Sequence, residues 1–294
     1  MDRLPDFVTI GAMKSATSTL HEQLAAQPGI FMSRPKEPNF FSNDEIAARG
    51  CDWYRALFAR ADRGDLCGES STHYTKLPTY PRTVERMSRA LPRAKLIYVM
   101  RDPIDRLISH YLHDFIRGAI AGPIDEALAR HPELTDYGRY GMQLEPYLAA
   151  FGPESVLPVF FERLVGHPQA ELERICRFIG YGGRPRWDES MGARNVTRDQ
   201  LRKCTIREMA VNLPVLSGVR RRLVPRPWVE RLKAHWRADH ERPGLQPESV
   251  ERLRAVFDDD LARLGRWLGT ALDCEHFSEV ALAGPHDWAG RGMS

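Results

Sequence analysis

Short apolar runs alternate along the chain with longer segments in which apolar residues recur at helical spacing. The runs lie at 7–10, 29–32, 96–100 and 156–161, and their length and β-branched content are typical of buried strands. The segment 104–115, directly after the third run, has one apolar helical face. This alternation predicts an α/β fold with a central, mainly parallel sheet and helices on both faces.

The first strand-to-helix connection has the composition of a phosphate-binding loop. The strand is followed by Gly11, then Lys14, then small and hydroxyl residues before a helix. This order directs backbone N–H groups, a helix N-terminus and one ammonium towards a single place. The candidate nucleotide-binding residues are Gly11, Lys14, Ser15, Ala16, Thr17, Ser18 and Thr19. We expect the Ser/Thr cluster to cap the helix. Met13 stands where a Walker A motif has glycine, so the alternative is an ordinary turn with a surface lysine.

The unit from 94 to 117 has the clearest signals in the chain. An unbroken apolar run ends at Arg101, and Asp102 and Pro103 form a strong helix start. A polar stripe on this helix is predicted for Asp102, Arg106, Ser109 and His113. Arg101 and Ser109 could both reach one anion lying along the stripe. A solvated helix face is the alternative.

Two further candidate residues follow strand-like runs. Lys36 lies between Pro35 and Pro38, which exclude a regular helix or strand at this point. Glu69 ends a short apolar run and begins a small-residue loop, where α/β sheets place their ligand sites. We therefore expect the Glu69 carboxylate to face a cleft. The alternatives are a surface lysine and a turn-capping glutamate.

Charge and composition narrow the classes of function. A formal net charge of +3 on 294 residues is too small to predict bulk nucleic-acid binding, while the excess of arginine over lysine favours anionic ligands. No apolar run approaches membrane-spanning length, and no hydrophobic signal segment is present, so a cytoplasmic location without a membrane span is expected. The five cysteines are scattered without metal-site spacing, which predicts reduced thiols and no metal site.

Four motifs, in this order along the chain, resemble those of the sulfotransferases that use 3′-phosphoadenosine 5′-phosphosulfate (PAPS), particularly the branch with heparan-sulfate sulfotransferases and bacterial relatives. The 5′-phosphosulfate loop of that family is matched by Gly11, Lys14, Thr17 and Leu20. Its Lys-Glu-x-x-Phe-Phe loop is matched by Lys36, Glu37, Phe40 and Phe41. Its Gly-Glu segment is matched by Gly68 and Glu69. Its 3′-phosphate segment is matched by Arg101, Asp102, Pro103, Arg106, Ser109 and Tyr111.

The resemblance implies a P-loop-like three-layer fold and a sulfo transfer from PAPS to a hydroxyl or amine by in-line displacement. Lys14 would neutralise the leaving phosphate, Glu69 would act as general base, and Lys36 would lie on the other side of the transferring group. Arg101 and Ser109 would bind the 3′-phosphate. The implied acceptor is a small molecule or a carbohydrate, and no metal is implied.

The match covers about the first two-fifths of the chain and has two departures. Asn39 and Ser70 stand where many relatives have His and Lys, which bears on acceptor binding. We expect one sulfotransferase domain over 1–294, in which 185–245 is a less regular, arginine-rich insertion on the acceptor side. Two rival functions are a small-molecule kinase with a divergent P-loop and a non-catalytic nucleotide-binding module.

Overall fold

Five parallel strands form one sheet in the computed structural model, which describes residues 3–191 and 243–289. The strands lie side by side in the order β2-β3-β1-β4-β5. Their bounds are β1 Phe7–Gly11, β2 Ile30–Met32, β3 Leu66–Ser70, β4 Lys95–Met100 and β5 Val156–Phe160. The predicted α/β fold with a parallel sheet is confirmed. Pro158, which predicted an edge position, lies in the edge strand β5.

Helices cover both faces of the sheet. In chain order they are α1 Thr17–Ala25, α2 Asp44–Ala47, α3 Gly50–Ala56, α4 Thr83–Ala90, α5 Pro103–Ile116, α6 Ile124–Arg130, α7 Glu133–Asp136, α8 Tyr140–Phe151, α9 Phe161–Gly166, α10 Pro168–Phe178, α11 Pro247–Leu268 and α12 Phe277–Ala283. Short 3₁₀ turns lie at Thr72–Thr75, Pro153–Ser155 and Glu189–Met191. The core on one face lies between the sheet and helices α1 and α10. The core on the other face lies between the sheet and helices α3, α5, α8 and α11.

The carboxyl ends of the central strands meet at one edge of the sheet. β1 is the middle strand, with β3 on one side and β4 on the other. The loops that follow Gly11, Ser70 and Met100 therefore emerge next to one another. In open parallel sheets this edge is where ligands bind, so the fold brings the candidate segments into one region.

Helix α11, which lies far along the chain from α8, supports this edge of the sheet. Asp260 is buried, and its carboxylate accepts hydrogen bonds from the backbone N–H groups of Gly141 (2.7 Å) and Met142 (2.9 Å) at the start of α8. The neighbouring Tyr140 hydroxyl donates to the carbonyl oxygen of Arg101 at 2.6 Å. Helix α11 thus fixes the start of α8, and α8 fixes the backbone at Arg101.

Gln23 on α1 and Gln27, just beyond the end of that helix, bind the segment 186–188 through its backbone. Gln23 donates to the carbonyl oxygen of Asp188 (2.8 Å) and accepts from its N–H (2.9 Å). Gln27 pairs in the same way with Arg186, at 2.9 Å for both bonds. The Gln27 side chain also donates to the carbonyl oxygen of Gln23 at 2.8 Å, which joins the two residues. We call this arrangement the glutamine clamp.

Part of the predicted organisation lies outside the described residues. Most of the predicted arginine-rich insertion 185–245 falls between the two described ranges. The single-domain prediction and the role of 185–245 stay predictions. Within the described ranges, no helix combines the length and apolar character needed to cross a membrane.

Candidate active site

The turn after β1 requires glycine at position 11 because another side chain occupies the adjacent space. The Thr75 hydroxyl donates to the carbonyl oxygen of Ile10 at 2.8 Å. A Cβ atom at Gly11, where φ is +157°, would collide with this hydroxyl. The turn continues through Lys14 and Ala16 with φ of 72° and 60°, a left-handed conformation that non-glycine residues adopt infrequently. The chain thereby reverses direction tightly before α1.

The N-terminus of α1 is open to an anion. Its N-cap is Ala16, without a side-chain cap, so the predicted capping by the Ser/Thr cluster is wrong: α1 begins at Thr17, and the Thr17–Thr19 hydroxyls lie inside the first turn. Their amides precede the first i→i−4 bond, from the Leu20 N–H to the Ala16 carbonyl at 3.1 Å. Ser15 Oγ is buried without a hydrogen-bond partner within the described ranges. These amides and the Ser15 hydroxyl can donate hydrogen bonds to a phosphate group.

Two cations from different strand ends meet at this loop. Arg101 donates through one guanidinium nitrogen to the Lys14 carbonyl oxygen (3.4 Å) and through the other to Asp105 (3.3 Å). Its guanidinium carbon lies 4.8 Å from the centroid of the Phe161 ring. Burial and the positive charge of Arg101 lower the pKa of Lys14, with Asp114 opposing. Lys14 and Arg101, which the sequence places after different strands, therefore lie at the same loop.

The predicted polar stripe on α5 is wrong at Arg106. This side chain is 0% exposed, and its guanidinium donates to the carbonyl oxygen of Leu134 on α7. Arg106 thus joins α5 to α7 instead of facing a ligand. Asp102 is the N-cap of α5, as predicted, and accepts from the Asp105 N–H at 2.7 Å. Ser109 is largely buried two turns into α5, and its 3′-phosphate role stays a prediction.

Residues 35–42, here the 35–42 loop, rest on the end of β3. Glu37 and Asn39 have φ of 61° and 53°. The Glu37 N–H donates to the carbonyl oxygen of Ser70 at 2.9 Å, and the Asn39 N–H donates to the Ser71 hydroxyl at 3.1 Å. Lys36 donates to Glu37 Oε1 at 2.7 Å. The loop therefore presents a Lys-Glu ion pair at the ligand edge of the sheet.

Glu37 is a partly exposed carboxylate with cations around it. The Lys36 and Glu37 side chains are 22% and 33% exposed. Burial acts to raise the pKa of Glu37, but the charge and hydrogen bond of Lys36, with His73 and Lys76 nearby, bring this pKa below its ordinary value. Glu37 is therefore ionised at neutral pH and able to accept a proton. The sequence places Glu37 in the Lys-Glu-x-x-Phe-Phe motif, but it does not predict a catalytic role for this residue.

The expectation that the Glu69 carboxylate faces the cleft is wrong. Glu69 is a strand residue in β3, paired in register with Val8, and its side chain is 0% exposed. The Tyr54 and Tyr74 hydroxyls each donate to Oε1 at 2.8 Å, and the Ser71 hydroxyl donates to Oε2 at 3.1 Å. The reason is that β3 extends through Ser70, so Glu69 points into the core and does not start the loop.

Burial raises the pKa of Glu69 to about 7, although the three hydroxyl donors oppose this rise. A carboxyl group with a raised folded-state pKa stabilises the fold fully below its unfolded pKa and loses that contribution as pH rises through the folded value. Compared with Glu69→Gln, the free energy of unfolding of the wild type should therefore fall by up to about 3 kcal/mol between roughly pH 4.5 and pH 7.5. Urea unfolding of both proteins across this range measures the difference. Parallel pH profiles would contradict the buried, perturbed carboxyl.

Two residues of the turn after β3, Lys76 and His73, lie near Glu37. Burial lowers the pKa of Lys76 to about 8, and its Nζ lies 5.5 Å from the centroid of the Tyr137 ring. Burial, with the charge of Lys76, lowers the pKa of His73 to about 4, so His73 is neutral at pH 7. Across 3–191 and 243–289 no group of three or more His, Cys, Asp or Glu side chains is arranged to hold a metal ion.

The amino-acid sequence of this chain is similar to those of known sulfotransferases. Residues 57–185 match the model of the Sulfotransferase family. Mouse heparan sulfate glucosamine 3-O-sulfotransferase 3B1 is 32% identical over 191 residues, which cover 60% of this chain and 46% of that protein. Human heparan sulfate glucosamine 3-O-sulfotransferase 6 is 32% identical over 190 residues, covering 60% of this chain and 53% of that protein. The chain thus spans about half the length of the curated relatives it matches.

A solved structure extends the similarity over nearly the whole chain. The sulfotransferase from Alicyclobacillus acidocaldarius superposes with a TM-score of 0.65 at 25% sequence identity. The superposition covers 92% of this chain and 98% of that one. The parallel sheet and its covering helices are therefore the sulfotransferase fold.

Proposed function

Because the chain is similar to sulfotransferases in sequence and in fold, we propose that it transfers a sulfo group from PAPS to a hydroxyl or amine of an acceptor. One observation carries this proposal: Lys14 and Arg101, from two strand ends, meet at the open N-terminus of α1, on the same sheet edge as the ionised Glu37. A nucleotide with phosphate groups at both ends requires two anion-binding segments, and an attacking hydroxyl requires a base.

PAPS supplies an activated sulfo group whose leaving group is a phosphate. The amides at the start of α1 and the Lys14 ammonium bind that phosphate, and Lys14 offsets the negative charge that grows on it as the S–O bond breaks. Arg101 and Ser109 bind the 3′-phosphate. The buried Ser15 Oγ and Arg101 Nε, both without hydrogen-bond partners in the described part of the chain, fit this anionic ligand.

On the acceptor side, we assign the base to Glu37 in place of Glu69. A base must reach the acceptor hydroxyl by direct contact or through one water, and Glu37 is partly exposed whereas Glu69 is fully enclosed. The new S–O bond forms to the acceptor oxygen while its proton passes to the Glu37 carboxylate. Lys36, then without its anionic partner, is free to bind the transferring sulfo group.

Replacing Arg101 with alanine should weaken the binding of adenosine 3′,5′-bisphosphate by about one to two decades, because a charge-assisted hydrogen bond contributes roughly 1.5–3 kcal/mol. The affinity for AMP should change little, since AMP has no 3′-phosphate. Isothermal titration calorimetry with both ligands measures the two effects. Equal losses for both would place Arg101 elsewhere on the nucleotide.

The proposed function is tested by incubating the protein with isotopically labelled PAPS and a panel of acceptors. Because the relatives are named for heparan sulfate glucosamine, glucosamine-containing oligosaccharides come first, followed by phenols, lipids and natural-product alcohols. Mass spectrometry should detect an added sulfo group, and EDTA should not abolish the transfer. Transfer of the ATP γ-phosphate dependent on Mg²⁺, with no sulfo transfer, would overturn the proposal.

A further inference from the structure

All three hydroxyl groups that donate to Glu69 belong to side chains that also touch the 35–42 loop. The Ser71 hydroxyl accepts the Asn39 N–H at 3.1 Å while it donates to Glu69. The Tyr54 ring stacks on Phe40, with 4.6 Å between centroids and an interplanar angle of 11°. The Tyr74 ring lies 5.6 Å from that of Phe41. Glu69 thus connects to the loop by three separate routes.

The loop needs support from outside itself. Glu37 and Asn39 both have left-handed backbone conformations, which non-glycine residues hold only where their surroundings enforce them. The backbone bonds that enforce them go to Ser70 and Ser71, the two residues directly after Glu69. The orientation of Glu37 therefore depends on where the end of β3 holds these two residues.

A fully buried carboxyl group is costly unless its oxygens are hydrogen-bonded, and here they are bonded to loop-contacting groups. We propose that Glu69 is a positioning residue that holds the 35–42 loop so that Glu37 faces the acceptor. This inference rests on the proposed function, because it concerns the acceptor side of the same site. Glu69 acts through Ser71, Tyr54 and Tyr74 and exchanges no proton with the acceptor.

The test compares Glu69→Ala with Glu69→Gln. Alanine removes the acceptor of all three hydroxyl donors. Glutamine keeps one oxygen for both tyrosines, and its amide N–H can donate to the Ser71 hydroxyl, which has lone pairs for this bond and for the Asn39 N–H. We expect Glu69→Ala to lower kcat by about tenfold or more without weakening adenosine 3′,5′-bisphosphate. Glu69→Gln should restore kcat to within about threefold of the wild type.

A second measurement reports on the structure of the 35–42 loop and does not depend on enzymatic activity. Hydrogen exchange at the Glu37 and Asn39 amides should quicken by about tenfold or more in Glu69→Ala and remain near wild type in Glu69→Gln. Glu171→Ala is the matched control. Glu171 is a buried glutamate (1% exposed) on α10, bonded to Arg163 and Arg174, in the core of the opposite face. Its removal should lower stability without changing exchange in the 35–42 loop.

The outcomes separate the alternatives. A Glu69→Gln protein as inactive as Glu69→Ala would make Glu69 the base and overturn the inference. Wild-type exchange at Glu37 and Asn39 in Glu69→Ala would overturn it as well. If Glu69→Ala does not fold, Ser71→Ala removes only the link to Asn39 and should quicken the same exchange; unchanged exchange there overturns the inference. A wild type without sulfo transfer defeats the proposed function alone, and the exchange results then decide the positioning.

Discussion

Replacing Glu37 with glutamine should lower kcat by about 10²–10⁴-fold, the usual contribution of general-base catalysis. Glutamine keeps the size of the side chain and an oxygen for the Lys36 and Thr72 donors, but it cannot accept the proton of the acceptor hydroxyl. The affinity for adenosine 3′,5′-bisphosphate should stay near the wild-type value, because Glu37 belongs to the acceptor side. Steady-state kinetics with a sulfated-product readout, together with calorimetry, measure both quantities.

The pH profile provides the control for this assignment. A base works only when deprotonated, so the rate falls as pH drops through the pKa of the base. The pKa of Glu37 is held below its ordinary value, and kcat/KM should therefore persist to acidic pH. If Glu69 were the base, its pKa of about 7 would make kcat/KM fall near neutrality, and Glu37→Gln would remain active.

Replacing Lys14 with alanine should lower kcat by about 10²–10³-fold, as the loss of a preorganised electrostatic contact does in other enzymes. The affinity for the nucleotide should fall much less, since the charge on the leaving phosphate grows only towards the transition state. Single-turnover rates with saturating PAPS, set beside direct binding measurements, separate the two effects.

Lys95→Ala is the matched control for Lys14→Ala. Lys95 begins β4 at the opposite edge of the sheet, where it donates to the carbonyl oxygen of Glu154 at 2.9 Å. Its removal takes away the same charge far from the loop and should leave kcat unchanged. A Lys14→Ala enzyme with normal kcat and only a raised KM would make Lys14 a ground-state binder.

The phosphate loop could be predicted from sequence because it depends on local order. Strand, glycine, lysine and helix follow one another within a few residues, so the direction of the chain at Gly11 and Lys14 follows from local geometry. The same holds for Arg101 and the Asp102 cap. What failed was a boundary: α1 begins at Thr17, and a shift of this size decides whether a hydroxyl caps a helix or lies inside it.

The acceptor side could not be predicted in the same way, because tertiary contacts decide it. Glu69 was expected in a loop, but β3 runs through Ser70, and strand alternation then turns the side chain into the core. Arg106 lies at a helical spacing that fits an exposed stripe, yet α7 packs over it. Glu37 reaches the site only because its backbone and that of Asn39 bond to residues far along the chain.

The two sides of the glutamine clamp should differ in how many substitutions they tolerate, because one side contributes side chains and the other contributes backbone groups. In the segment 186–188 the two glutamines bind backbone N–H and carbonyl groups of Arg186 and Asp188. The side chain at position 186 therefore takes no part in this contact. In a saturation library scored for folding, position 186 should therefore accept most residues but reject proline, which lacks the N–H. Gln23 and Gln27 should accept almost no substitution, because few side chains offer a donor and an acceptor together.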